Sequence, residues 1–398
     1  MKKIIKIFFA LTLILSASLS SFACSKKNDG ESDEEIDICA EEVRTYLNAK
    51  TADEQYSALA YAKGSILDNQ YANIEYASED GKTYRIFVFD VDDETESFVL
   101  KGRGGKTEGG LFIPGRTYRC KVVGKSSYDE EFVSATEWKD EYAEYVTEEK
   151  IVKIKDAPVR YITMHAGYNY RDVGGWTTES GKRVAYGKIY RGARTNEFSD
   201  RDILTLKKYL KIRSEIDLRN SSDDGGQNKS VLGDDVAYLK APIAQYSLVI
   251  PSYSSNGRKF DEKSPEQIKR IFKFLADEDN YPLFFHCNAG ADRTGTIAFL
   301  LLGSLGVGLE DLTRDYELTS FSKGGVRLRG EFKLPFTYGI MQDDGENFVA
   351  WGDLVDRICR DYAATDGKLS SAICNYLLSV CGIKTETIDK IRSIMLVK

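Results

Sequence analysis

His286-Cys287-Asn288-Ala289-Gly290-Ala291-Asp292-Arg293-Thr294-Gly295 places a cysteine and an arginine on either side of five residues, with glycines inside and after the run. Pro282-Leu283-Phe284-Phe285 before it reads as a short buried strand, and Thr294–Leu305 after it is apolar almost all round, the pattern of a buried helix. The cysteine therefore stands where a strand turns into a helix. Successive backbone N–H groups of such a turn converge on an anion, and the helix N-terminus adds partial positive charge. The same field favours thiolate over thiol, bringing cysteine pKa values from about 8.5 down to between roughly 3.5 and 7.5. Arg293 adds a planar fork that grips two phosphate oxygens at once, which a lysine cannot do. A thiolate nucleophile, an arginine clamp and an amide cradle are the parts that cleavage of a phosphomonoester needs.

Two further blocks stand upstream. Asn169-Tyr170-Arg171-Asp172-Val173-Gly174-Gly175 leads to Gly181-Lys182 and then Gly187-Lys188-Ile189-Tyr190-Arg191-Gly192, and Ile216-Asp217-Leu218-Arg219 follows. Together with the loop, these blocks resemble the bacterial tyrosine/dual-specificity phosphatases. Those are cysteine-dependent enzymes with a His-Cys-x5-Arg-Ser/Thr loop, here in the form with Asp before Arg and Thr-Gly after it. The resemblance covers roughly residues 160 to 398. It implies an α/β fold with a central, mostly parallel sheet flanked by helices, and metal-independent hydrolysis through a cysteinyl-phosphate. Strand and helix signals alternate accordingly. Ile212–Arg219 reads as a strand, and Pro265–Ala276, Leu309–Leu318 and Val349–Cys359 as helices. A last helix has Thr385 as N-cap and Ile388, Ile391 and Met395 on one face. Two other readings of the loop stay open: a rhodanese-type sulfurtransferase, and a relative that keeps the fold only to bind phosphorylated ligands.

The resemblance also implies roles. Cys287 attacks phosphorus, Arg293 and the N–H groups of Asn288, Ala289, Gly290 and Ala291 hold the equatorial oxygens, and Thr294 eases departure of the sulfur. His286 and Gly295 read as loop support. Arg171, Asp172 and Arg219 carry over as neighbours of the bound phosphate, with a buried ion pair as the equal alternative. Gly174 and Gly175 read as turn formers. For the general acid, Gln245–Lys259 contains no Asp or Glu, and Asp261 comes just after it. Asp292 lies in the loop itself, where repulsion by a bound dianion favours a protonated carboxyl, so it stands ahead of Asp261. A structural Asp292, bonded to backbone N–H groups, is the competing reading. The family often has Lys where this chain has Ala291, which points away from phosphoinositides and toward phosphotyrosine or a small phosphoester, with a phosphatase for inositol phosphates or other nutrients as the rival reading.

The 398 residues leave room for more than one domain, and 42% apolar content is ample for buried cores. A net charge of −7 argues against nucleic acid as a general partner. With two histidines, His165 and His286, and no Cys/His cluster at ligand spacing, no metal or other cofactor is expected. At the N-terminus, Lys2, Lys3 and Lys6 precede an apolar Ile7–Leu19 and then Ser21-Phe22-Ala23-Cys24. Residues 1–23 read as a signal peptide and Cys24 as a lipidation site, although Ser21-x-Ala23 would also serve an ordinary signal peptidase. The polar stretch that follows reads as an acidic tether over 24–39. The expectation is an exported protein of the bacterial cell envelope, periplasmic or at the cell surface, touching the membrane through its anchor alone. Seven cysteines form no tight disulfide framework, and Cys374–Cys381 is one pair that a bridge would suit.

Residues 40–150 differ in character. Thr83–Val91 has strand composition, and Leu111-Phe112-Ile113-Pro114-Gly115-Arg116-Thr117-Tyr118 leads into a strand with Tyr118, Cys120 and Val122 on one face. The Leu-x-x-Pro-Gly-x-x-Tyr pattern resembles the E–F region of fibronectin type III domains. That implies a small all-β sandwich over 40–150 ahead of a catalytic domain over 155–398, the alternative being an elaborated N-terminal lobe of the catalytic domain.

Overall fold

The computed structural model describes residues 34–60, 73–108, 111–255, 257–323, 327 and 346–398. The expected signal peptide, Cys24 and the first part of the acidic tether lie outside the described residues. The tether's last part is corrected: Glu34–Ile36 is a strand, β1, paired parallel with a later strand, and not a free linker.

The N-terminal segment contains α1 (Glu41–Asn48), α2 (Ala52–Ala60), β2 (Lys82–Asp90), β3 (Glu96–Arg103), β4 (Lys106–Glu108), β5 (Thr117–Ser126), the one-turn α3 (Glu130–Val133) and β6 (Val146–Ile154). Its strands lie in a single sheet of order β1-β6-β5-β2-β3-β4, antiparallel except for β1–β6. The sandwich expectation is thereby corrected, since no second sheet faces this one among the described residues. The physical reason is visible on both faces. Alternation along β2 puts Tyr84, Ile86 and Val88 into one cluster with Tyr118, Cys120 and Val122. Phe87 and Val123 project into the other cluster, which Phe132 of α3 and Tyr142 close, with Trp138 stacked edge-on against Phe87. Aromatic side chains from residues 132–142 thus cover the face that a second sheet would cover. The local motif is real nonetheless. Gly115 turns the chain at φ +80°, and the Ile113 N–H donates to the Tyr118 hydroxyl at 2.9 Å. It specifies a corner at a strand start, not the sheet opposite.

Val43, Tyr46, Leu47 and Ala58, from α1 and α2, pack into the large core of the C-terminal half. That half contains β7 (Arg171–Asp172), β8 (Arg183–Val184), β9 (Ile189–Gly192), α4 (Asp200–Leu204), β10 (Ser214–Asp217), β11 (Ala237–Lys240), β12 (Ser254–Ser255), β13 (Arg258–Lys259), α5 (Ser264–Leu275) and β14 (Leu283–His286). It continues with α6 (Asp292–Leu305), α7 (Leu309–Glu317), α8 (Glu346–Asp361), α9 (Leu369–Ser379), α10 (Thr385–Met395) and β15 (Leu396–Val397). The main sheet has the order β11-β10-β14-β9-β7, parallel except where β7 meets β9, so the expected mostly parallel sheet with flanking helices is what forms.

Two features position the site. All four residues of β14 are buried at the centre of the sheet, and α6 behind it is buried from Thr294 through Leu305 until Gly306, at φ +96°, ends the helix. Parallel strands present their C-terminal ends on one side, where α/β folds hold ligands, and β14 delivers Cys287 there. Thr385 is the first residue of α10 and makes no cap bond, Lys384 being the N-cap, although Ile388, Ile391 and Met395 are buried as the pattern required. Cys374 and Cys381 are both free thiols.

Candidate active site

From Cys287 to Ala291 the chain crosses from β14 to α6, and the structure fixes this loop by its carbonyl groups. The Asn288 carbonyl accepts from the Arg194 N–H at 3.1 Å and from the Tyr168 hydroxyl at 3.2 Å. The Ala289 carbonyl accepts from Asn169 Nδ2 at 3.0 Å, and the Gly290 carbonyl from Arg191 Nη2 at 3.0 Å. With the oxygens held outward, the N–H groups are left for the concave side. Among the described residues, no backbone partner accepts from Asn288, Ala289, Gly290 or Ala291 N–H. Ala291, the N-cap of α6, makes no side-chain capping bond among the described residues, which leaves the first-turn N–H groups open to an anion. This is an anion nest at a helix N-terminus.

Gly290 is required here for two reasons. Its φ is +69°, and a Cβ would lie 2.5 Å from the Gly192 carbonyl carbon. Cys287 is a free thiol, 2% exposed, at the floor of the loop. The Thr294 hydroxyl is buried with no hydrogen-bond partner among the described residues. His286 is fully buried, with Nε2 2.9 Å from Glu215 Oε1 and its ring stacked on Phe284. It is therefore built into the sheet as loop support.

Arg293 is held 2.6 Å from Asp223 Oδ2. Burial opposes its charge, but the bond to Asp223 and the neighbouring Cys287 and Asp292 outweigh it, so the guanidinium pKa is raised. Asp292 accepts from the Tyr246 hydroxyl and, at 3.2 Å, from Arg327, not from backbone N–H groups as a structural reading would have it. Asp261 accepts from the Ser264 hydroxyl at 2.5 Å at the start of α5 and makes no hydrogen bond to the loop among the described residues.

For three residues read either as neighbours of the phosphate or as buried ion pairs, the structure shows the ion pair, for one physical reason: a buried guanidinium or carboxylate needs a counter-charge, and each has found one. Arg171 is fully buried, bonded to Asn169 Oδ1 at 2.6 Å and to Asp315 Oδ1 at 3.4 Å. It therefore steadies Asn169, which in turn holds Ala289. Asp172 pairs with Arg160 at 2.9 Å and accepts from the Gly174 and Gly187 N–H groups, pinning the turn. Burial raises its carboxyl pKa, against the pull of Arg160. Arg219 forms a two-pronged pair with Asp217, both bonds 2.9 Å, and also reaches Gln227 at 2.6 Å.

Sequence reasoning missed Asp223, Asp315, Glu215, Tyr168 and Arg194, and quoted Asn169 and Arg191 in the motif blocks without assigning them as donors to the loop. Asp223 follows Arg219 by four residues on the loop at the C-terminal end of β10, and that location was its one available signal. Arg191 shares Asp315 with Arg171; burial first, then the neighbouring Arg171, bring its pKa down to about 10.

Comparison with known proteins agrees with this geometry. The model of the tyrosine phosphatase family matches residues 162–397, more than half of the chain, and the chain belongs to that family. A Cupriavidus necator protein carrying a tyrosine-protein phosphatase name is 27% identical over 162 residues, 37% of this chain and 59% of that protein. A tyrosine-protein phosphatase of Nostoc commune is 29% identical over 133 residues, 31% of this chain and 44% of its own length. The chain thus spans about half the length of these curated relatives. Among solved structures, the core catalytic domain of a PP-IP phosphatase from S. cerevisiae aligns at 18% identity and a TM-score of 0.26, over 36% of this chain and 77% of that one.

Proposed function

We propose that this member of the tyrosine phosphatase family is an exported, metal-independent protein-tyrosine or dual-specificity phosphatase that works through a cysteinyl-phosphate. The observation that carries the reading is the loop whose carbonyls at Asn288, Ala289 and Gly290 are each taken up by a donor from outside it, which leaves its N–H groups, and Arg293, for a phosphate at Cys287. The Cys287 thiolate attacks phosphorus in line, the P–O bond to the leaving group breaks, and the nest and Arg293 hold the equatorial oxygens. Water then cleaves the S–P bond, releasing phosphate and returning the thiolate. The unpartnered Thr294 hydroxyl is the donor available to the departing sulfur. Asp292, flanking Arg293, is the carboxyl nearest in sequence to supply the leaving-group proton.

A nucleophile 2% exposed at the floor of a loop suits a phosphate on a long flat arm, hence phosphotyrosine ahead of phosphoserine. Ala291, in place of a lysine, removes a charge that polyphosphorylated inositols would use. Export and anchoring through Cys24 rest on the Lys2–Leu19 pattern and the Ala23-Cys24 junction. No helix among the described residues is long and apolar enough to cross a membrane.

The test is phosphate release from a phosphotyrosine peptide by the chain from residue 25 onward, reduced and in EDTA, beside Cys287→Ser. Turnover that survives EDTA and vanishes in the variant is expected. No turnover on that peptide, on phosphoserine or on inositol phosphates would overturn the catalytic reading in favour of a phospho-ligand-binding module.

A further inference from the structure

Arg85 lies in the middle of β2, where a strand that faces cores on both sides ordinarily carries apolar residues. It is 5% exposed, yet no carboxylate partners it among the described residues. Its Nη atoms donate to the backbone carbonyls of Tyr84 and Val133, and its Nε is buried with no partner. Burial lowers its pKa, and the titratable groups that act back on it are the Tyr209 and Tyr76 hydroxyls, not acids. A buried cation without a counter-ion is costly unless something anionic completes it.

Arg85 lines a cleft of about 380 Å³ between the N-terminal sheet and the segment running from α4 to Tyr209. Lys101 and Arg201 stand at the same cleft, both exposed and both without a carboxylate partner among the described residues. Among the described residues, no aspartate or glutamate lines it, in a chain whose net charge is −7. The rest of the wall is largely apolar, with Val99, Leu204 and Tyr209. The volume is that of a small-molecule site, and cations over an apolar wall describe its ligand.

We propose that this cleft binds a small amphipathic organic anion, its acidic head on Arg85, Lys101 and Arg201 and its apolar body against Val99, Leu204 and Tyr209. The site shares no residue with the phosphate loop, so it stands whether or not Cys287 is catalytic. A carboxylate, sulfonate or phosphate head presents the same chemistry to three cations, and a neutral molecule of equal apolar size does not.

The test is a fluorescence titration with 8-anilinonaphthalene-1-sulfonate of the chain from residue 25 onward, which retains the whole compact unit Asp33–Lys398. Saturable one-to-one binding is expected, displaced by octanoate but not by octanol or inorganic phosphate. Arg85→Met is expected to weaken it at least tenfold. Lys101→Glu with Arg201→Glu, both at exposed positions, is expected to weaken it at least fivefold with an unchanged circular dichroism spectrum, which keeps the test decisive if Arg85→Met does not fold. Cys287→Ser is expected to bind as wild type. Absence of saturable binding, equal displacement by octanol, displacement by phosphate, or an unchanged affinity in the double charge reversal would each overturn the proposal.

Discussion

Two sets of arginines surround the Cys287–Arg293 loop, and they differ in what they face. On the outer side, Arg171 and Arg191 are fully buried, share Asp315, and act on the loop from behind, through Asn169 and through the Gly290 carbonyl. On the inner side, Arg293 is 13% exposed and tied to one partly exposed carboxylate, Asp223. The residue type is the same; the counter-charge decides the role. An arginine whose charge is satisfied by a buried acid shapes the cradle, and one paired with a partly exposed acid keeps guanidinium donors for a phosphate.

The largest expected difference between the sets is in rate. Arg293→Ala is expected to lower kcat by roughly 10³-fold, as removal of a main transition-state donor does, while the melting temperature moves little. Arg171→Ala is expected to do the reverse, with most of its effect on stability. Steady-state kinetics and thermal melts on both variants check this, and a large stability loss in Arg293→Ala would break the distinction.

Next in size is Asp315→Ala, which leaves two buried guanidinium groups without their shared counter-charge. A destabilisation of about 3–5 kcal/mol is expected, measured by urea unfolding. An effect below about 1 kcal/mol would mean that the pair contributes little to holding the loop.

How much of this the sequence made legible follows from the same contrast. The strand, the loop and the buried helix are contiguous, and each announces itself through local composition, so β14, Cys287 and α6 fall where the pattern put them. The partner of Arg171 is 144 residues away in sequence, and nothing near Arg171 marks it. Arg171, Asp172 and Arg219 could therefore be read either as neighbours of a phosphate or as buried ion pairs, and their motif alone did not decide between the two. The N-terminal segment shows the same limit. Tyr118 and the Pro-Gly turn specify a corner within a few residues, whereas the cover of the sheet depends on Phe132 and Tyr142, whose role no strand pattern reveals. The Arg160 guanidinium, bonded to the Phe112 carbonyl at 3.0 Å and to Asp172 at 2.9 Å, then ties that segment to the C-terminal half.

A third test uses pH on the outer shell. Burial alone would raise the pKa of Asp217, but Arg219, His286 and Lys240 outweigh it and hold the carboxyl well below its usual range. A carboxyl depressed in the folded state stabilises the fold above its unfolded pKa of about 3.9, and that contribution is lost as pH falls through the folded value. Asp217→Asn is therefore expected to cost about 2 kcal/mol near pH 7, with the gap to wild type closing as the pH is lowered below about 4. A gap that stays constant down to pH 2 would assign the loss to shape and not to charge.

The smallest effect, and the one that sharpens the comparison most, belongs to Asp223. Its Oδ2 holds Arg293 at 2.6 Å while its Oδ1 is buried without a partner among the described residues. A carboxylate so placed orients the guanidinium fork before phosphate arrives. Asp223→Asn keeps the size and one acceptor, so a loss of about tenfold in kcat/KM is expected, equivalent to about 1.4 kcal/mol, with stability close to wild type. A positioning role predicts the same loss on p-nitrophenyl phosphate, whose leaving group needs no proton, as on phosphotyrosine, whose leaving group does. A loss confined to phosphotyrosine would instead make Asp223 the proton donor and remove that role from Asp292. The inner arginine would then face its own acid, and the two sets would differ in chemistry as well as in burial.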